Sequence, residues 1–160
     1  AKTYNFLTTH GIDQYADLTA KIAEVQTASE QAAATLKDVE TRLSDMAVLI
    51  KNITTYQKTK PAYDAYRKAK DKGSYRAAHE REVILHEAAV KAIKGAGISK
   101  LPDIAELQAE YAKLQERKEA LYTDYCKLKK QVKEYDVIKR NIDSILKIER
   151  PPEREKEVRR

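Results

Sequence analysis

Two stripes of apolar residues run through most of this chain, each stepping by alternating threes and fours without a slip. The first comprises Tyr15, Leu18, Ile22, Val25, Ser29, Ala32, Leu36, Val39, Leu43, Met46, Ile50 and Ile53, and Tyr56 continues it. The second comprises Ile104, Leu107, Tyr111, Leu114, Lys118, Leu121, Tyr125, Leu128, Val132, Tyr135, Lys139, Ile142 and Leu146. Residues three and four apart share a face only in a helix, so a heptad stripe commits its segment to that conformation. Neither stripe contains a Gly or Pro. Residues 14 to 59 alone predict a helix about 70 Å long at 1.5 Å per residue.

The rest of the chain is punctuation and short helices. Residues 3 to 10 read as a short helix stopped by Gly11, and Asp13 is placed to cap the next one. Pro61 lacks an N–H and disfavours helical geometry in the residue before it, which predicts a break at Lys60–Pro61. A short helix from Ala62 to Lys70 and a turn at Lys72-Gly73 are expected next. A helix from Tyr75 to about Lys94, capped by Ser74, follows and ends at Gly95-Ala96-Gly97. Leu101-Pro102-Asp103 opens the last long helix, with Asp103 near its positive end. Pro151-Pro152 closes that helix, and the charged tail after it reads as disordered. The expected organisation is a short N-terminal helix in 1–12, a first long helix in 13–60, a helical tip in 61–102, a second long helix in 103–149 and the tail in 150–160.

Two long helices with one apolar stripe each need partners. The fold class expected is all-α, a long antiparallel coiled-coil hairpin with a small helical cap at its tip. Tyr15 would then lie near Leu146, and Tyr56 near Ile104. Ser29 and Ala32 leave the first stripe thin in its middle, where Tyr111 and Tyr125 could fill space. The alternative is a parallel dimer of extended chains. The hairpin is preferred because the segment between the stripes folds locally and the stripes match in length.

Composition narrows the function classes. Charged residues are 35% of the chain and mean hydropathy is -0.70, which suits long solvated helices better than a compact ball. No apolar run approaches the roughly 20 residues needed to span a bilayer, so no membrane partner is expected. The first residues lack the pattern of a signal peptide, and a chain opening on Ala1 reads as an excised or processed piece. The single Cys126 excludes an internal disulfide and fits a reducing, cytoplasmic setting. The net charge of +6 is compatible with a polyanionic partner without requiring one.

Candidate catalytic groups do not converge. Five of the ten tyrosines (Tyr15, Tyr56, Tyr111, Tyr125 and Tyr135) lie on the stripes and read as core, and no His lies within a turn of any of them. His79 and His86 are seven apart, which predicts one shared helix face but not the i, i+4 spacing of a zinc helix. They read as a surface or half-buried pair, and Cys126 reads as an inert helix residue. Gly95-Ala96-Gly97 lacks the strand and trailing Gly-Lys of a phosphate loop. No catalytic residue, metal, cofactor or small-molecule substrate is expected.

One region rises above this background. Lys58, Lys60, Arg67, Lys68, Lys70, Lys72, Arg76 and Arg81 face only Asp64, Asp71 and Glu80, an excess of eight cations over three carboxylates. Tyr63, Tyr66 and Tyr75 are interleaved with them. Cations neutralise phosphates and exposed rings stack on unpaired bases, so Lys58, Lys60, Tyr63, Tyr66, Arg67, Lys68, Lys70, Lys72 and Arg76 form a candidate nucleic-acid surface. The plainer reading is a solvated tip whose tyrosines pack inward against Val83, Ile84 and Ile93.

Four stretches carry a family resemblance: KTYNFLTTHGIDQYADL at 2–18, ITTYQKTKPAYDAYRKAKDK at 53–72, HEREVILHEAAVKAIKGAGISKLPDIAELQAEYAKL at 79–114 and NIDSIL at 141–146. Over nearly its whole length the chain resembles the C-terminal helical region of relaxases, the mobilization proteins of conjugative elements in Gram-positive gut bacteria. The resemblance implies a parent enzyme that nicks DNA through a tyrosine and a histidine-held metal in a separate, N-terminal nuclease domain. This chain has neither the histidine triad nor the alternating strand pattern of that domain, so no catalytic residue transfers. What the resemblance implies is a cytoplasmic, bacterial setting in DNA mobilization. The region would there grip DNA, contact the transfer machinery, or hold the relaxase as a homodimer.

Overall fold

The computed structural model describes residues 2–10 and 14–149. Among them it is all-α, with five helices and no strand: α1 (Lys2–Thr9), α2 (Tyr15–Lys68), α3 (Lys72–Ala78), α4 (Glu80–Gly95) and α5 (Ile104–Glu149). The cap expected from Asp13 and the charged tail lie outside the described residues. No helix among the described residues is long and apolar enough to cross a membrane.

The chain divides into two units, Ala1–Leu36 with Ala120–Arg160, and Lys37–Glu119. In the first, Leu18 and Ile22 of α2 bury themselves against Tyr135 and Ile138 of α5. Phe6, Leu7, Val25 and Ile142 cover this core. The Phe6 ring meets Tyr135 edge-on at 5.1 Å, and His10 stacks on Phe6 at 4.0 Å. Full burial of a side chain such as Leu18 is worth roughly 1.5–3 kcal/mol. Tyr15 donates its hydroxyl to Asp143 at 2.9 Å, one turn from Leu146, which is exposed. Ser29, in the thin part of the stripe, is buried.

In the second unit the apolar face of α4, Val83, His86, Ala89 and Ile93, is buried. Val39, Leu43, Ile53 and Thr59 are the buried positions of α2 there. Glu40 of α2 lies 3.7 Å from Lys118 of α5. α4 ends in a Schellman motif: the Ile98 N–H reaches the Ile93 carbonyl and the Gly97 N–H reaches that of Lys94. This requires positive φ at Gly97, which is 77°, a value that costs glycine nothing. Asp103, at the positive end of α5, also caps it, accepting from the Ala105 N–H at 2.9 Å.

Three local expectations are corrected. α2 does not break at Lys60–Pro61 but runs through Pro61 to Lys68. Pro61 and Gln57, whose carbonyl loses its donor, are both exposed, so water can satisfy that oxygen. His86 touches Tyr56 and Thr59 before the proline and Tyr63 after it, which holds both sides on one helical register. Next, the turn expected at Lys72-Gly73 is helical. The cap is Asp71, not Ser74: its Oδ1 accepts from the Ser74 N–H at 3.1 Å and its Oδ2 from the Ser74 hydroxyl at 2.7 Å. These bonds hold the Asp71 carboxyl below its ordinary pKa. Finally, the single helix expected from Tyr75 to Lys94 is two, divided at His79, whose φ and ψ are -126° and 31°. His79 and His86 therefore share no helix face.

Pro61 yields a first prediction. Pro61→Ala restores the Gln57 hydrogen bond and relieves the ring's clash, so it is expected to stabilise the chain by about 2 kcal/mol in a urea titration, after allowing for the freer unfolded state. A loss of stability would show that the ring makes a contact outweighing the missing bond.

Candidate nucleic-acid interface

The end of α2, α3 and α4 bring the aromatic residues of the tip into one cluster. Tyr63 stacks on His86 with ring centres 4.3 Å apart and 18° between planes, and Tyr56 lies on the same imidazole at 4.7 Å. Tyr66 follows at 5.9 Å from Tyr63 and 6.4 Å from Tyr75, which stacks on His79 at 4.3 Å. Tyr63, Tyr66 and Tyr75 are half-buried and engaged with neighbouring rings rather than standing free. Tyr56 packs its ring on His86.

The cations separate into two groups. Lys60 pairs with Asp64 at 2.8 Å. Arg76 grips Glu87 with two nitrogens at 3.0 and 3.4 Å, and its guanidinium lies 5.8 Å from the Tyr66 ring centre. These pairs are exposed, so each contributes little to stability. Lys58, Arg67, Lys68, Lys70 and Lys72 are exposed and have no carboxylate within ion-pair distance among the described residues, though, after the Lys60 hydrogen bond, the charge of Lys68 helps hold Asp64 below its ordinary pKa. Arg67 and Lys68 occupy the last turn of α2, where their charge also complements the helix dipole.

His86 is the residue that sequence reasoning missed. It was read as surface or half-buried, yet only 3% of it is exposed. It also overturns the separation of histidines from stripe tyrosines: His86 stacks on Tyr56, and His10 lies 6.0 Å from Tyr135. The Thr59 hydroxyl lies 2.7 Å from the Thr55 carbonyl and shares a hydrogen bond of 3.0 Å with His86 Nδ1. Burial pushes the His86 pKa below its ordinary value, against the pull of the Tyr56 backbone carbonyl and Asp64. The signal was present in the spacing. Tyr56, Thr59, Tyr63 and Tyr66 continue the first stripe past Pro61, and Val83, His86, Val90 and Ile93 repeat it on α4.

Beside this ring lies a cleft of about 400 Å³ bounded by Tyr56, Lys60, Tyr63, Asp64, Arg67, His86 and Lys94, closed by the Ile98–Leu101 loop. Lys94 and the loop were not singled out from sequence. Cys126 is exposed on α5, and no group of three or more potential metal ligands occurs among the described residues. No protein-family model, curated protein or solved structure matches this chain.

Proposed function

We propose that this chain is a non-catalytic C-terminal accessory domain of a conjugative relaxase, acting in the bacterial cytoplasm, and that it contacts DNA through a basic helical tip. The single observation behind the DNA contact is the run of five exposed, unpaired cations, Lys58, Arg67, Lys68, Lys70 and Lys72. Unpaired cations held close together release counterions from a phosphate backbone, whereas paired ones must first give up their carboxylates. In this reading Lys60 and Arg76 reach phosphate only by leaving Asp64 and Glu87, and Tyr63 and Tyr66 offer ring edges or one face to a base. The relaxase setting rests on the sequence resemblance.

The proposed fold is an antiparallel coiled-coil hairpin of α2 and α5. Its support is contact between the two helices within each unit: Tyr15 meets Asp143 in the first, and Glu40 meets Lys118 in the second. Burial along α5 follows the heptad stripe from Ile104 to Tyr135.

The test is charge reversal away from the paired residues. Lys68→Glu, Lys70→Glu and Lys72→Glu together are expected to weaken DNA binding on the order of tenfold or more at moderate salt. Unchanged affinity would remove the tip as the binding surface. A second reading, a coiled-coil rod that dimerises or links the relaxase to transfer-machinery partners, is favoured by Tyr122, Val137 and Ile145, large apolar residues half-exposed on α5. A concentration-dependent mass in light scattering, with no DNA affinity, would select it.

A further inference from the structure

The cleft beside His86 is also lined by Tyr56 and Tyr63. The cleft's volume of about 400 Å³ falls within the range of small-molecule sites, roughly 300–1,000 Å³. Its walls divide by chemistry. Tyr56 and Tyr63 supply half-buried aromatic surface, and Lys60, Arg67 and Lys94 supply three cations against the single carboxylate of Asp64, itself tied to Lys60.

We propose that this cleft is a nucleotide-binding site, with the phosphate held by Lys60, Arg67 and Lys94 and the base against Tyr56 and Tyr63. An aromatic wall and a cationic rim suit a planar group joined to an anion. The inference deepens the DNA-binding reading and rests on it for the source of the ligand. The nucleotide is either free or one residue of a single strand, and the chemistry is shared.

The experiment is an NMR titration of the ¹⁵N-labelled chain with deoxyadenosine monophosphate and, separately, with a short adenine-containing single strand, following the His86 ring nitrogens. A saturable shift of the ring signals is expected, since His86 lines the cleft. A shift with the mononucleotide shows that the free ligand suffices, and a shift with the strand alone shows a nucleotide held within a strand. Lys94→Ala, on an exposed position that does not threaten the fold, should weaken the shifting ligand at least about fivefold by loss of one charge-assisted contact. The triple reversal at Lys68, Lys70 and Lys72, which lie outside the cleft, should weaken strand binding while leaving mononucleotide binding intact, so the two readings fail separately. No saturable shift with either probe, or an unchanged affinity in Lys94→Ala, would overturn the site.

Discussion

Leu18→Ala is expected to lower the unfolding free energy by about 3 kcal/mol, within the 2–5 kcal/mol typical of a large side chain truncated in a core. Leu18 is fully buried among Ile22, Tyr135 and Ile138, with Phe6, Leu7, Val25 and Ile142 around it. Residues from three helices converge there, so no single side-chain shift can refill the space. Urea unfolding followed by circular dichroism reads the loss. Val48→Ala is the internal comparison: Val48 lies on the same helix, is 55% exposed, and should change stability by no more than about 0.5 kcal/mol. Equal small effects at both positions would mean that α2 does not use the Leu18 face for packing.

His86→Ala should cost a similar amount, about 2–4 kcal/mol by comparison with other buried rings. The imidazole fills the space between Tyr56 and Tyr63 and joins α4 to α2 through Thr59. Most of the loss is cavity, because the Thr59 hydroxyl keeps its bond to the Thr55 carbonyl when the ring is gone. The wild-type chain should carry a pH signature that the variant lacks. The folded pKa of His86 is depressed, chiefly by burial, so the unfolded chain takes up this proton first as pH falls. The stabilisation is thus complete above the ordinary histidine value of about 6.5 and is lost as pH falls through the folded pKa. Lys60, Asp64 and Glu87 surround the ring and modulate the same step. Urea midpoints between pH 7.5 and 5 should fall more steeply for the wild type than for His86→Ala. Parallel slopes would show that the folded ring takes up its proton as easily as the unfolded one.

The long helices were legible in the chain because heptad spacing encodes which face is buried, and tertiary context rarely reverses that. Leu18, Ile22, Leu36, Val39, Leu43 and Ile53 are all buried where the stripe puts them. The tip was less legible because its local signals compete. The rule for Pro61 describes a helix without support, whereas here contacts to His86 on both sides of the ring outweigh one missing bond. Ser74 and Asp71 are both good caps, and only the backbone direction decides that the aspartate accepts and the serine donates. His86 was misread because its polarity suggested a surface position, although its spacing to Val83, Val90 and Ile93 marked it as core. The basic run was visible as composition, but which of its members are free depends on carboxylates up to 11 residues away, such as Glu87 for Arg76.

The most direct test of DNA contact through the tip is the salt dependence of binding to a labelled single strand. If the five unpaired cations engage phosphates, the logarithm of the binding constant should fall linearly with the logarithm of salt, with a slope of roughly -3.5. Lys68→Glu, Lys70→Glu and Lys72→Glu together should reduce that slope by about 2. Absence of binding at low salt, or a slope that the three reversals leave unchanged, would contradict the account.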